Sequence, residues 1–409
     1  MPWNQTNEMK ERLKMIGEYL SGGYGPAELA RRYGVSRKSV YKWIARYEQA
    51  GAEGLQERSS APHHHPNATE LQVVEHILRL KARWPHWGAP KLLARLQRES
   101  AAGPYPAEST VSDILRRHGL SNSIKRRAHA SAVPSSQPLG HARAPNEVWC
   151  VDFKGWFRTG DGSKCSPLTL TDASSRYLLR CQCLGSKTGG PLVQPIMISA
   201  FREHGMPCAI RSDNGPPFAS RTLGGLSALS VWWLRLGIRL ERIEPGKPQQ
   251  NGRHERFHRT LEQHTASPPA RTLKAQQRCF DEFRREYNHE RPHEALGQAT
   301  PAEHYRPSSL EYPQRLPDAR EFPEEWHRRK VKPGGTIKWS GHEVHLTQVL
   351  SGEDVGLEPV GDGRWAVWFQ DLELGVFDER TMKVKGHKNL PKQAGSKPGE
   401  AGDGRGGVL

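Results

Sequence analysis

The sequence predicts a multidomain α/β protein: N-terminal helical units, a central α/β region with a mixed sheet, and a small C-terminal β-barrel. Three observations predict it. Up to about residue 120, apolar residues recur at helical spacing. After residue 146, short apolar runs bounded by Gly, Pro, Asp and Asn alternate with helical stretches, the pattern of strands and helices sharing one sheet. Beyond about residue 325 the period falls to two, and Gly-rich turns separate the runs.

Residues 8–55 form the first unit. "MKERLKMIGEYL" places Leu13, Ile16 and Leu20 at helical spacing, and "PAELARRYG" and "SRKSVYKWIARYEQ" follow, joined by a tight turn at Gly34-Val35. The small Ala30, that turn and Ser36 as N-cap make a helix-turn-helix pattern. In such a unit the N-terminal residues of the second helix face bases in the major groove. Here they are Ser36, Arg37, Lys38 and Lys42, with Val40, Trp43 and Ile44 turned inward. A helical hairpin packed elsewhere in the fold would carry the same apolar pattern.

A Pro/Ser/His-rich connection, which includes His63, His64 and His65, leads to a second unit, 68–122. "PKLLARLQRES" and "PAESTVSDILRRHGL" repeat the two-helix theme, and Ser109 and Thr110 open its last helix. Residues 123–145 mix a basic run, with Arg126 and Arg127, with Ser, Ala and Pro, and read as a phosphate-seeking linker. Residues 146–310 form the α/β region, 325–386 the small barrel, and 387–409 a Gly-rich, disordered tail.

Net charge is +16, and residues 1–145 hold 22 Lys and Arg against 12 Asp and Glu. An excess concentrated in one region points to a polyanion, with nucleic acid first. No run of about 18 apolar residues occurs, so no membrane span is expected. The polar start, Met1 to Lys10, has no apolar signal segment, and a cytosolic location is expected. The six cysteines lack zinc-site spacing and read as reduced core thiols.

Four acids of the central region could carry chemistry. Asp152 lies inside the apolar run "VWCVDFKG", where a carboxylate is costly to bury unless paired or coordinated; Lys154 and Arg158 are possible partners. Asp213 closes "CAIRSDNG" before a Gly/Pro turn, a position suited to a cleft or to an Asx turn. Glu255 stands in the first turn of a helix, where the dipole favours it regardless of function. Glu262, seven residues on, shares its face.

In order along the chain, "WCVDFKG", "RSDNGPPF", "PGKPQQNGRHERFHRTLE", "NHERPHEALG" and "TPAEHY" resemble the core of insertion-sequence DDE transposases, which have a ribonuclease-H-like catalytic core of the retroviral-integrase type. The leading helix-turn-helix and "WGAPKLLARL" are similar to the same family, and the match spans roughly residues 10–310. The resemblance implies that Asp152, Asp213 and Glu255 are the catalytic, metal-binding acids, with Glu262 outside the motif. The 41 residues between the last two exceed the family's commonest spacing. It further implies two Mg²⁺ ions, with Mn²⁺ as a substitute, and phosphate contacts from Lys247, Arg253, Arg256 and Arg259. The expected activity is cleavage and transfer of DNA strands at terminal inverted repeats, by a homo-oligomer in the cytoplasm, associated with the nucleoid. A non-catalytic regulator of transposition and a nuclease on the same fold are the alternatives.

Overall fold

The computed structural model describes residues 7–57, 68–100, 103–121, 142–243 and 252–386. Arg126, Arg127 and Lys247, the His63–His65 tract, most of the basic linker and the Gly-rich tail lie outside them, as does the side chain of Arg253. The chain divides into two compact units, Met1–Glu70 and Leu71–Leu409.

In the first unit, helices α1 (Glu8–Leu20), α2 (Pro26–Arg32) and α3 (Arg37–Ala50) enclose Met15, Ile16, Leu29, Val40, Trp43, Ile44 and Leu55. The turn is built from local chemistry. Gly34 takes φ +65, which costs glycine little, and the Val35 amide donates to Ala30 O at 3.0 Å, closing α2 as a Schellman motif. Ser36 then starts α3 by accepting the Ser39 amide, a cap that contributes about 1 kcal/mol. Of the expected face, Ile16 is buried but Leu13 and Leu20 are exposed; Met15 joins Ile16 where α1 meets its neighbours.

The second unit begins with α4 (Leu71–Arg83), α5 (Ala89–Glu99) and α6 (Glu108–Arg117), around Ile77, Leu80, Leu92, Leu96, Val111 and Leu115. Trp84 and Trp87 stack there with ring centroids 4.3 Å apart. Ser109 and Thr110 lie in the first turn of α6, whose N-cap is Ala107.

The central sheet consists of β1 (Val148–Phe153), β2 (Phe157–Arg158), β3 (Lys164–Asp172), β4 (Leu178–Leu184), β5 (Ala209–Ser212) and β6 (Arg239–Arg242). Strands run in the order β4-β3-β1-β5-β6, with β2 paired to the start of β3. The first three are antiparallel, while β1, β5 and β6 are parallel, so the sheet is mixed as the sequence predicts.

Helices α7 (Gly190–His204) and α8 (Ala228–Arg235) cover one face, burying Trp149, Val151, Leu168 and Ile210 against Met197, Phe201 and Trp233. Helices α9 (Gly252–Thr265) and α10 (Leu273–His289) cover the other, with Phe257, Leu261, Phe280 and Phe283 on Cys165 and Cys181. A one-turn helix, α11 (Pro301–His304), follows. Each fully buried large apolar side chain contributes about 1.5–3 kcal/mol. The helix read from the sequence over about 219–236 starts only at Ala228. Pro216 and Pro217 donate no amide, and Gly224 and Gly225 take φ +66 and +65, so the approach to it stays a turn. Of the six cysteines expected in a core, Cys165 and Cys181 are buried, Cys150, Cys183 and Cys279 are half-buried, and Cys208 is exposed.

The C-terminal strands are β7 (His327–Lys330), β8 (Thr336–Trp339), β9 (His342–His345), β10 (Asp354–Gly361), β11 (Arg364–Phe369), β12 (Leu372–Asp378) and β13 (Lys383–Gly386). They form an antiparallel sheet in the order β13-β12-β11-β10-β7 and a separate β8–β9 hairpin. The closed barrel expected from the period of two is not formed: among the described residues no ladder joins the hairpin to either edge. Pro333, without an amide hydrogen, and the Gly335 turn at φ +76 separate β7 from β8. Nor is this sheet a detached module. Val355, Phe369, Leu374 and Phe377 belong to the same apolar cluster as the α7–α8 face, and Arg235 of α8 pairs with Glu353 at 2.8 Å.

Candidate active site and DNA-facing surface

The parallel pairing of β1 with β5 sets Val148 opposite Ala209, Trp149 opposite Ile210 and Cys150 opposite Arg211. Two residues beyond the last pair stand Asp152 and Asp213. They share parity, so the two half-buried acids occupy equivalent positions at the C-terminal ends of neighbouring strands. Asp213 is poorly supplied with donors: among the described residues it accepts one long bond, 3.3 Å, from the Gly215 amide. Burial pushes its carboxyl up from the ordinary range, and that amide only partly opposes the shift.

The third acid, Glu255, is exposed in the first turn of α9. Its neighbour His254 is buried and fixes that turn. The His254 Nε2 and the His258 Nε2, one turn later, each lie 2.9 Å from the Thr169 hydroxyl. Thr169 is the cross-strand partner of Asp152 and donates to its carbonyl at 3.1 Å. The start of α9 is thereby held against the strand end that carries Asp152. The ligating atoms of Asp152, His254 and His258 lie within 4.8 Å of one another. Burial lowers His254 to about 4 and, with the neighbouring His254 and Lys154, lowers His258 to about 2, so both rings are neutral at pH 7. Sequence reasoning missed this group, although the His-x-x-x-His spacing of 254 and 258, one turn apart on a helix, was a usable signal.

Glu262, the alternative third acid, forms an ion pair with Lys154 at 3.0 Å; the lysine is 13% exposed and the glutamate 56%. Arg256 and Arg259 are exposed on α9. On the first unit, Ser36, Arg37, Lys38 and Lys42 are exposed at the start of α3, while Val40, Trp43 and Ile44 are buried beneath them. Lys42 Nζ also lies 4.4 Å from the Trp43 ring centre. In the second unit Ser109 is exposed and Thr110 half-buried.

Family models match most of the chain in succession. A helix-turn-helix domain matches residues 11–63 and a homeodomain-like domain 39–115. Integrase core domains match 142–248 and 236–301, and the C-terminal domain of the IS481 family of transposases matches 327–385. Together with the insertion-element relatives, these matches support an insertion-sequence transposase with an integrase-type core.

Two insertion-element proteins are similar to this chain. The uncharacterized 31.7 kDa protein of insertion element IS407 from Burkholderia multivorans is 28% identical over 239 residues, 58% of this chain and 82% of that protein. The uncharacterized 39.2 kDa protein of IS476 from Xanthomonas euvesicatoria is 31% identical over 180 residues, 44% of this chain and 50% of that protein. Among solved structures, a simian T-cell lymphotropic virus intasome chain aligns with 72% of this chain and 96% of its own length, at 18% identity and a TM-score of 0.34. The HTLV-2 integrase catalytic core, solved with magnesium, aligns with 39% of this chain and 97% of its own length, at 16% identity and a TM-score of 0.30. No helix among the described residues is long and apolar enough to cross a membrane.

Proposed function

We propose that this transposase binds the terminal inverted repeats of its mobile element and catalyses metal-dependent cleavage and transfer of DNA strands. The observation that carries the proposal is the pairing of Asp152 and Asp213 at equivalent ends of adjacent parallel strands, beside the helix turn that bears Glu255. The donor set fits a hard divalent cation. Its ligands are carboxylate oxygens, and Asp213 is partly desolvated with one weak donor among the described residues, a deficit that a cation would relieve. Asp152, Asp213 and Glu255 would hold two Mg²⁺ ions, or Mn²⁺ in their place. When bound, such a pair supplies an activated oxygen nucleophile and stabilisation of the leaving oxygen in an in-line displacement at phosphorus.

The rest of the work falls to the chain itself. Arg256 and Arg259, with Lys247 and Arg253, grip phosphates on either side of the scissile bond. Ser36, Arg37, Lys38 and Lys42 read the major groove of the terminal repeat. Ser109, Thr110, Arg126 and Arg127 add contacts from the second unit and the linker. Both ends of the element must be held at once, which calls for a homo-oligomer. A cytoplasmic, nucleoid-associated protein follows from that substrate.

The test is nicking and joining of a terminal-repeat duplex with Mg²⁺. Asp213→Asn and Glu255→Gln should each lower both by about 10²–10³ while leaving binding of the repeat intact. Full joining by either variant would sink the assignment. Loss in Glu262→Gln but not in Glu255→Gln would move the third ligand to Glu262. Binding without any joining by the unaltered protein would favour a regulator, and preferential cleavage of an RNA–DNA hybrid a nuclease.

A further inference from the structure

We infer that Asp152, His254 and His258 form a separate metal site, suited to a borderline transition cation such as Zn²⁺ or Co²⁺, that competes with the carboxylate site for Asp152. The binding claim stands on the geometry alone; the competition rests on the proposed function.

The two histidines are four residues apart on α9, so their side chains leave one face of the helix a single turn apart. Both Nε2 atoms reach the same oxygen, the Thr169 hydroxyl, at 2.9 Å, so the two rings converge on one point. That point lies beside Asp152, the cross-strand partner of Thr169. All three ligating atoms fall within 4.8 Å of one another. A tetrahedral ion with nitrogen at about 2.0–2.1 Å needs its ligand atoms about 3.3 Å apart. Side-chain rotation of about an ångström therefore converts the cluster into a coordination sphere.

The Thr169 hydroxyl gives its one proton to the Asp152 carbonyl, so both rings must turn their Nε2–H toward its two lone pairs. One hydroxyl thus serves two imidazoles that an ion could bind directly.

The donor set separates this site from the carboxylate site. Two imidazole nitrogens and one carboxylate match zinc and cobalt, whereas magnesium prefers oxygen ligands. Three protein ligands leave a fourth position open. Asp152 is common to both sites, so an ion on the histidines draws it away from Asp213. Transition-metal loading would then switch the carboxylate site off.

Co²⁺ is the probe, added to the full-length, metal-free protein without DNA and followed by visible absorption. One equivalent should give the intense bands of tetrahedral cobalt. His258→Gln should weaken that binding at least tenfold, and the His254→Gln/His258→Gln pair should abolish the bands. Asp213→Asn and Glu255→Gln should retain them. The His63–His65 tract can also take cobalt, so the decisive reading is the His258-dependent signal. If the double variant is unfolded by circular dichroism, the single His258→Gln variant decides. Bands unchanged in His258→Gln, or lost in Asp213→Asn, would overturn the site. The competition is read separately, as the Zn²⁺ concentration that halves Mg²⁺-dependent joining, which should rise about tenfold in His258→Gln. An unchanged value removes the competition. Absence of joining in the unaltered protein removes the proposed function, and the cobalt titration still decides the metal site.

Discussion

Asp172 and Asp213 sit on the same sheet, both carboxyls pushed up by burial, and they are treated in opposite ways. Asp172, 1% exposed, accepts the Asn146 amide at 2.7 Å, the Ser175 amide at 2.7 Å and the Ser175 hydroxyl at 2.6 Å. Asn146 in turn accepts from Trp149 Nε1 and the Tyr305 hydroxyl, at 3.0 and 3.1 Å. Among the described residues, Asp213 accepts from the Gly215 amide alone. A buried acid with a full set of protein donors is a structural lock. A half-buried acid short of donors is a vacancy in charge that a cation or a substrate group can fill.

The largest test of that contrast is Asp172→Ala. It strands the donors of Asn146 and Ser175 in the interior and should cost about 3–5 kcal/mol in urea unfolding, by the logic of breaking a buried charged network. Next comes Asp213→Asn, whose side-chain oxygen can still accept the Gly215 amide. Stability should hold or rise slightly, while strand joining falls by about 10²–10³, or about 3–4 kcal/mol of barrier. Comparable losses of stability in the two variants would erase the distinction between lock and vacancy.

Two pH effects of opposite sign come third. His254 and His258 have folded values lowered to about 4 and about 2, so the unfolded chain takes up their protons first. Their stabilisation is complete above the ordinary histidine range and is lost as pH falls through about 6.5 toward 4, by up to about 1.4 kcal/mol per unit for each ring. Thermal melts should show that loss, and His258→Gln should shrink it. Asp213 has a raised folded value, so its contribution is present below the ordinary carboxylate range and is lost as pH rises through the raised value. Mg²⁺ should restore it, and Asp213→Asn should remove both the step and its response to Mg²⁺. The smallest effect is expected of Glu262→Gln, which loses the half-exposed pair with Lys154: under about 1 kcal/mol, with joining retained.

What was legible in the sequence was local. The Gly34-Val35 turn and the Ser36 cap are set by residues within one turn of each other, and the structure has them where the pattern puts them. The strand through Asp152 and the strand ending before Asp213 were legible because their apolar runs stop at Gly and Pro. The rest depends on partners far away in the chain. The burial of Asp172 is not legible in its own neighbourhood, since one of its donors, the Asn146 amide, lies 26 residues upstream. Thr169 meets His254 and His258 across 85 and 89 residues. The two-residue strand β2 is too short to show a period. The open C-terminal sheet has the same alternation as a closed one, because alternation reports which face is buried and not whether the edges join.

The apolar cluster shared between the α7–α8 face and the C-terminal strands bears on how such a chain can be rearranged. A cut near residue 325 looks like the removal of an appendage, but it would uncover the Arg235 side of α8, separate that arginine from Glu353 and open the packing around Leu374. A swap of C-terminal regions between related chains would have to carry the matching surface of α8 with it. For inheritance and for engineering alike, the unit of exchange is the pair of surfaces rather than the strands alone.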